Sequence, residues 1–197
     1  SHIELLGSRE AIAEAKGELI RCLPENSVAI LNEDDPYVKA MDRLAKGKTI
    51  TYGIERNATC IGSHLRYKKD GIKFTCKCYD EVFDIFLPMI GEHNVYDALA
   101  AIVAGRVLGI KSNTIRKGLS EFSGTPMRQE IVPFEDIVIL NDAYNANPSS
   151  MAEAIKALGQ LEGKRKIAML GDMLELGDFS EEAHREIGHL LAEEGYS

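Results

Sequence analysis

The sequence lacks a long apolar run and a basic excess, and each absence excludes a class of protein. No stretch of the 197 residues is apolar for long enough to span a bilayer, and from the first residues we expect no signal peptide. The chain has 31 acidic and 23 basic side chains, whereas nucleic-acid-binding proteins usually present a basic face. We therefore expect a cytoplasmic protein with no membrane span and no nucleic-acid partner.

Cysteine is scarce, and its spacing disfavours a metal site. Two of the four cysteines are one residue apart, which places them on the same face of a strand. A zinc site needs a second pair or nearby histidines, and the histidines at 64 and 93 are poorly spaced for it. Reduced thiols are the better interpretation. The cysteines are Cys22, Cys60, Cys76 and Cys78.

Neither of the two common glycine-rich phosphate loops is present. No G-x-x-x-x-G-K-[ST] and no G-x-G-x-x-G occurs in the sequence. The first residue is Ser1 and not an initiator methionine, which fits a chain cut from a longer one. With 45% hydrophobic and 27% charged residues, the composition is that of a folded protein of one large or two small domains.

The first part of the chain alternates strands and helices. Residues 8–23 are predicted to form a helix that begins at Ser8 and whose apolar stripe includes Leu19. Apolar strands at 28–31 and 49–52, with a helix at 37–46 between them, indicate a parallel sheet covered by helices.

An antiparallel region follows. Alternation at 63–67 and 72–78 around a turn predicts a hairpin, and a third strand is expected at 82–87. Helices are predicted at 94–108 and 112–121. Because Gly and Pro then interrupt the pattern, we place a domain boundary there, with domains at residues 1–125 and 126–197.

The second domain restarts with a parallel βα pattern. The apolar strand 137–140, expected to be buried, is followed by a polar loop at 141–148 and a helix to about 161; a strand at 166–170 and a helix at 180–194 complete the pattern. This order is that of a Rossmann-like domain, and two strands make it incomplete. The fold class is therefore α/β.

The loop at 141–148 is the strongest chemical signal. It follows the carboxyl end of a strand, where open α/β sheets bind ligands, and Asp142 is placed to accept a hydrogen bond from a ribose hydroxyl. Asn, Asp and Pro also make turns and caps without any ligand. The residues alone leave these two interpretations about even.

Other candidates each have a plainer interpretation. Lys16 lies on the apolar stripe of the first helix, where an inward amine needs a partner or a modification, but snorkelling to water is commoner. Arg128 follows a Gly-Thr-Pro hinge and could reach a phosphate or lie on the surface. Asn94 opens a helix, so a helix cap is the default interpretation, and a contact with adenine is the alternative. His2 is a lone histidine, and His184 is expected at the surface.

Taken together, these stretches resemble the Mur ligase family over essentially the whole chain. The resemblance begins after the family's nucleotide loop and ends partway through its C-terminal domain. It is carried by Ala15-Lys16-Gly17-Glu18-Leu19, by Gly91-Glu92-His93-Asn94 with Ala98-Leu99-Ala100-Ala101, by Arg128 before Asn141, and by Asp142-Ala143-Tyr144-Asn145-Ala146-Asn147-Pro148 with Gly171-Asp172-Met173-Leu174-Glu175-Leu176-Gly177.

The resemblance implies an ATP- and Mg²⁺-dependent amide ligase of peptidoglycan synthesis. The sequences of the motifs at 142–148 and 171–177 resemble those of the members that join D-alanyl-D-alanine to UDP-N-acetylmuramoyl-tripeptide through an acyl phosphate. We expect the chain to be inactive alone, because the phosphate loop and the remaining domains are absent from it. The alternatives are a family member that adds another amino acid and a non-catalytic nucleotide-binding module.

The resemblance also assigns roles residue by residue. His2 matches a Mg²⁺ ligand, and Lys16 matches the lysine that the family carries as a carbamate. Arg128 matches a γ-phosphate contact and Asp142 a ribose contact. The remaining matches are Asn94 on the adenine side, Asp97 where many relatives have an adenine-contacting Asn, and Asn145 and Asn147 lining the substrate cleft.

Overall fold

A computed structural model of the chain describes residues 8–68, 70–159 and 165–196. These residues separate into two compact units. The larger unit comprises Ser8–Pro88 with His93–Phe122, and the smaller unit comprises Met89–Glu92 with the described residues from Ser123 onward. Within the described ranges, no helix has both the length and the apolar character needed to cross a bilayer.

The larger unit is a mixed five-stranded sheet with helices. Its strand order is β1-β2-β3-β4-β5; β1–β2 and β2–β3 are parallel, and β3–β4 and β4–β5 are antiparallel. The predicted parallel strands and the predicted hairpin are therefore parts of one sheet. The elements are α1 (Arg9–Cys22), β1 (Val28–Asn32), α2 (Pro36–Lys39) running into a 3₁₀ turn (Ala40–Leu44), β2 (Lys48–Gly53), β3 (Cys60–Lys68), β4 (Gly71–Cys78), β5 (Glu81–Leu87), α3 (His93–Val107) and α4 (Ser112–Ser120).

Helix α1 forms as predicted, but the face that it buries is different. Ser8 Oγ accepts the Ala11 N–H at 3.1 Å, which confirms the N-cap. Gly17 and Ile20 are the buried residues, and a Cβ at Gly17 would lie 2.9 Å from Leu44 Cδ1. Leu19 is 69% exposed, because two residues turn a helix by about 200° and carry it to the opposite side from Gly17.

Lys16 lies outside the buried face of α1, so its expected place on the apolar stripe is wrong, whereas the expected contact of its amine with water agrees with its exposure. Lys16 is exposed, because the buried face of α1 is the one that carries Ile20 and Gly17, where the helix meets Leu44 of the 3₁₀ turn. Its amine is in contact with water and therefore needs no partner or modification to lie where it does.

The core of the larger unit lies between α3 and the sheet. Val95 and Leu99 of α3 are fully buried, and both side chains approach Gly62 of β3. Cys60, Cys76 and Cys78 are also fully buried on the sheet, where Cys60 Sγ lies 3.5 Å from Cys76 Sγ. All four cysteines are free thiols, and Cys76 and Cys78 share a face as their spacing predicts.

Asp34 ties the carboxyl ends of β1 and β2 to α3. Its carboxylate accepts the backbone N–H groups of Ile54, Glu55 and Arg56 at 2.6, 3.1 and 2.8 Å. It also accepts the Tyr96 hydroxyl at 3.0 Å. Burial alone raises the pKa of Asp34, but these hydrogen bonds to the charged form outweigh burial, and the net pKa is lowered.

The smaller unit is a β-hairpin with two helices. Its elements are β6 (Glu130–Phe134), β7 (Ile137–Asn141), α5 (Pro148–Gly159), a 3₁₀ turn (Gly177–Phe179) and α6 (Ser180–Glu193). Strands β6 and β7 are antiparallel. Met173 and Leu176 pack with Ile155 of α5 and with Ala183 and Ile187 of α6 to form its core.

Two predictions for this unit are wrong. Residues 166–170 form no strand, and Met169 is 94% exposed. Strand β7 pairs with the preceding segment, which sequence analysis left without an element, and is not buried: Ile137 is 55% and Val138 52% exposed. An apolar strand is buried only when other elements cover its two faces, and the exposure of Ile137, Val138 and Ile139 shows that the faces of β7 are largely open.

We predict that Asp34→Ala lowers the free energy of unfolding of the larger unit by about 2 kcal/mol, because three backbone N–H groups lose a charged acceptor. Chemical denaturation at pH 7 measures this change. Asp42→Ala, an exposed carboxylate on the adjacent 3₁₀ turn, is the matched control and is expected to change stability by less than about 0.5 kcal/mol.

The pH dependence has a definite sign. Because the folded-state pKa of Asp34 lies below the unfolded value of about 3.9, its contribution is full above that value and disappears as the pH falls through the folded pKa. The wild-type chain should therefore lose more stability between pH 5 and pH 2 than Asp34→Asn does, by an amount on the order of 1 kcal/mol. Equal losses in both proteins would contradict this role.

Candidate functional site

The polar loop after β7 edges a cavity in the smaller unit. The cavity has a volume of about 690 Å³. Its wall is mainly apolar, and its polar side chains come from the end of β7 and the loop after it, from Asp172 and from Tyr196. The lining residues are Val132, Ile139, Leu140, Asn141, Asp142, Ala143, Asn145, Ala146, Met151, Ala154, Ile155, Leu158, Ile167, Ala168, Met169, Leu170, Gly171, Asp172 and Tyr196.

This loop is joined to the segment that precedes β6, and we call the two together the clasp (residues 125–130 and 141–144). Asp142 Oδ1 accepts the Gln129 N–H at 3.2 Å, and Met127 O accepts the Tyr144 N–H at 3.1 Å. Glu130 Oε2 accepts both the Met127 N–H at 3.1 Å and the Asn141 amide at 3.2 Å. The clasp thus brings Arg128 and Asp142, two of the predicted site residues, to one place.

Arg128 is displayed at the surface of the clasp. The residues on either side of it, Met127 and Gln129, have φ values of 60° and 47°, a region that residues other than glycine rarely adopt. Gln129 is buried, at 8% exposed, whereas Arg128 is exposed and stacks over the Tyr144 ring, with the guanidinium carbon 3.9 Å from the ring centroid. The strained turn therefore buries one neighbour and points the arginine outward.

The two asparagines of the loop differ in their surroundings. Asn145 is exposed and lines the cavity, and its Oδ1 accepts the Ala146 N–H at 2.9 Å. Asn147 caps α5: its Oδ1 accepts the Ser150 N–H at 3.0 Å, and Pro148 occupies the first helical position. The cap accounts for Asn147 without a ligand, and Asn147 is not among the residues that line the cavity.

Residues 171–177, the last motif of the family resemblance, are held by His184. His184 Nε2 accepts the Met173 N–H at 3.1 Å, and its Nδ1 donates to Ser180 O at 2.7 Å. His184 is half-buried, so its predicted surface position is wrong. Because both ring nitrogens are used, the loop that carries Asp172 to the cavity is tied directly to α6.

In the larger unit, the first turn of α3 lies at the carboxyl edge of the parallel strands. Tyr96 of this turn donates to Asp34. Burial raises the pKa of Tyr52 at the end of β2, and the neighbouring Asp97 carboxylate contributes to the rise. Open α/β sheets bind ligands at this edge, so Asn94 and Asp97 have a position suited to ligand contact.

Asn94 is not the cap that its position suggested. Helix α3 already includes His93, and the Asn94 amide nitrogen lies 3.0 Å from His93 Nε2. Asp97 is exposed one turn further along. Of the two predicted metal ligands, Lys16 is exposed on α1, and His2 lies outside the described residues.

Three residues that organise these edges were not predicted from the sequence. Asp34 lies in a polar loop directly after a strand, the same signal that drew attention to Asp142, so it could have been found. Tyr144 is an aromatic residue within a polar loop, which was a weaker signal. Gln129 carried no signal, since its burial depends on the conformation of the clasp.

Both parts of the chain match models of one enzyme family. Residues 1–105 match the model of the Mur ligase middle domain, and residues 127–196 match the model of the Mur ligase glutamate ligase domain. The chain belongs to the Mur ligase family.

Within the family, the chain is similar to proteins named UDP-N-acetylmuramoyl-tripeptide–D-alanyl-D-alanine ligase. The Bacillus subtilis protein of that name is 41% identical over 194 residues, which are 98% of this chain and 41% of that protein. The Escherichia coli protein is 32% identical over 191 residues, 95% of this chain and 42% of that protein. The chain thus spans about two fifths of the length of these relatives.

Solved structures give the same result. A crystal structure of MurF from Acinetobacter baumannii has a TM-score of 0.92 at 30% identity, covering 100% of this chain and 43% of that one. A structure of the MurF ligase from Thermotoga maritima in complex with ADP has a TM-score of 0.87 at 27% identity, covering 97% of this chain and 44% of that one. The α/β fold class is confirmed.

We predict that Asn147→Ala lowers the free energy of unfolding of the smaller unit by about 1 kcal/mol, the usual cost of a lost N-cap, and that Asn147→Ser retains most of it. Thermal unfolding followed by circular dichroism measures the difference. Asn145→Ala, in the same loop but outside the cap, is the control. Equal stability of Asn147→Ala and wild type would contradict the capping role and favour a ligand contact.

Proposed function

We propose that this chain is part of an ATP-dependent ligase that adds D-alanyl-D-alanine to UDP-N-acetylmuramoyl-tripeptide in peptidoglycan synthesis. The observation that carries the proposal is the similarity to proteins of that name along 98% of the chain, through both units. Residues 1–125 belong in this proposal to the middle, ATP-binding domain, and residues 126–197 to the C-terminal ligase domain. The four free thiols suit the reducing cytoplasm, where we place the protein.

The reaction consists of two displacement steps, the first at phosphorus and the second at the acyl carbon. The terminal carboxylate of the tripeptide attacks the γ-phosphorus of ATP, so that a carboxylate oxygen–phosphorus bond forms, the bond to the β-phosphate oxygen breaks and ADP leaves. The amine of D-alanyl-D-alanine then attacks the acyl carbon, inorganic phosphate leaves with the bonding pair, and the amine loses a proton. The protein must therefore neutralise phosphate charge and hold the reactants together.

The described residues suit parts of this task. The exposed guanidinium of Arg128 presents N–H donors to the γ-phosphate. Asp142 uses Oδ1 for the Gln129 N–H, and Oδ2, which has no hydrogen-bond partner among the described residues, accepts a ribose hydroxyl. Asn94 and Asp97 lie at the strand edge where we place the adenine, and Asn145 lies at the cavity beside the D-alanyl-D-alanine.

Asn147 has a structural role in the proposed site. Asn147 holds the start of α5 through its cap and thereby fixes the loop on which Asp142 and Asn145 stand. We therefore place Asn147 at the cleft as a support of the loop. The activity further needs a phosphate-cradling loop, which the matched region does not supply.

The proposed activity also uses magnesium, for which we propose few protein ligands. No cluster of three or more His, Cys, Asp or Glu side chains among the described residues could hold a metal ion. Mg²⁺ needs no such cluster, since it keeps several waters and binds nucleotide phosphates with one or two carboxylates. A carbamate on the exposed Lys16 amine supplies a carboxylate-type oxygen. His2 is the second proposed ligand and the weaker one, because Mg²⁺ prefers oxygen.

We predict that Lys16 is carbamylated. The protein expressed from its complete reading frame, equilibrated with ¹³C-bicarbonate, ADP and Mg²⁺, should show one carbamate carbon resonance that is absent in Lys16→Arg. Lys46→Arg, which changes another exposed lysine of the larger unit, is the control and should retain the resonance. A resonance that persists in Lys16→Arg would contradict the assignment.

The proposed reaction predicts phosphate release that depends on the dipeptide. The protein from its complete reading frame is assayed with ATP, Mg²⁺, UDP-N-acetylmuramoyl-tripeptide and D-alanyl-D-alanine, and release should fall to background when D-alanine replaces the dipeptide. Release with a single amino acid instead would indicate another ligase of the family. No release with any amine, together with retained ADP binding, would indicate a nucleotide-binding module.

A further inference from the structure

We infer that Tyr144 is a positioning residue that holds the Arg128 guanidinium in place for a phosphate. The inference rests on the proposed function, in which Arg128 contacts the γ-phosphate. Tyr144 has no role in that proposal, and the geometry of the clasp assigns it one.

The stack between the two side chains is close. The Arg128 guanidinium carbon lies 3.9 Å from the Tyr144 ring centroid, whereas two other cation–ring pairs, Lys73 with Phe86 and Lys166 with Tyr196, lie at 6.0 and 5.9 Å. A guanidinium stacks through its flat face and donates its hydrogen bonds in its plane. The ring therefore covers one of the two flat faces, neither of which carries a donor, and leaves the N–H edge for an anion.

The backbone fixes both partners. Tyr144 N–H donates to Met127 O at 3.1 Å, so the residue that carries the ring is bonded to the residue before the arginine. On the other side of Arg128, Gln129 N–H donates to Asp142 at 3.2 Å. These two bonds hold the positive φ values of Met127 and Gln129, and the ring and the guanidinium face each other because their backbones are joined.

Packing alone does not account for the ring. Tyr144 is 62% exposed and does not belong to the hydrophobic core of the smaller unit. An exposed aromatic residue in a loop of Asp, Asn and Ala gains little from burial. What the ring does is restrict an arginine that would otherwise sample many rotamers, and this lowers the entropy lost when the guanidinium binds an anion.

The test is a mutant cycle on phosphate release by the protein from its complete reading frame. Arg128→Ala should lower kcat by about 100-fold or more, as loss of a charge-stabilising donor does. Tyr144→Leu should lower it by about tenfold, with a smaller change in KM for ATP, because the guanidinium is still present but misplaced. Tyr144→Phe, which keeps the ring, should restore most of the rate lost in Tyr144→Leu.

The double variant separates positioning from a structural role. If Tyr144 acts only through Arg128, Arg128→Ala/Tyr144→Leu should be no slower than Arg128→Ala alone. Phe134→Leu, which removes another exposed ring of the same unit (59% exposed), is the matched control and should leave the rate unchanged. Multiplicative losses in the double variant would overturn the inference, since Tyr144 would then act independently of Arg128.

A spectroscopic measurement tests the stack without substrates. The δ-methylene protons of Arg128 should show an upfield ring-current shift in the wild-type chain and in Tyr144→Phe, and none in Tyr144→Leu. Absence of the shift in wild type would overturn the inference even if the protein is an active ligase. An unchanged rate in Arg128→Ala would overturn the assigned role of Arg128, and with it the inference, while the shift would still report the stack.

Discussion

A carboxylate that accepts backbone N–H groups organises the polar edge of each unit. In the larger unit, Asp34 gathers three such groups from the loop after β2 and the hydroxyl of Tyr96 from α3. In the smaller unit, Asp142 takes the N–H of Gln129 and so joins the loop after β7 to the segment before β6. Loops at a ligand edge are otherwise the most mobile parts of an α/β protein, and a charged acceptor fixes several of their amides at once.

The two carboxylates differ in how much of their bonding capacity the fold uses. Asp34 is occupied on both oxygens by the protein itself, so its role is to shape the edge. Asp142 uses one oxygen in the clasp, and the other is the oxygen that we propose to bind a ligand. The same division separates Asn147, whose side chain caps α5, from Asn145, which lies at the cavity. The two asparagines of this loop thus divide into one whose side chain holds a helix and one that lines the cavity.

The elements of the larger unit could be predicted from the sequence because each carries its own signal: alternation in β3 to β5, apolar runs in β1 and β2, and a capping serine before α1. The buried face of α1 could not, because it is set by Gly17 meeting Leu44 and not by a stripe of large side chains. The strand expected at 166–170 failed for a related reason, since an apolar run specifies a strand only where a partner pairs with it. In the candidate site, Arg128 and Asp142 could each be selected from the sequence as possible ligand contacts. That their two segments are joined could not be predicted, because the joining contacts involve Met127, Gln129 and Tyr144, which sequence spacing does not connect.

The clasp also has a thermodynamic consequence. Gln129 and Asp142 are 13 residues apart in the chain, and a ligand that touches both Arg128 and Asp142 binds only when their segments are joined. Ligand binding and closure of the clasp are therefore linked reciprocally: each raises the population of the other by the same factor. A saturating anionic ligand should thus act as a cross-link between the two segments of the clasp, and the melting temperature of the smaller unit becomes a measure of the occupancy of the site.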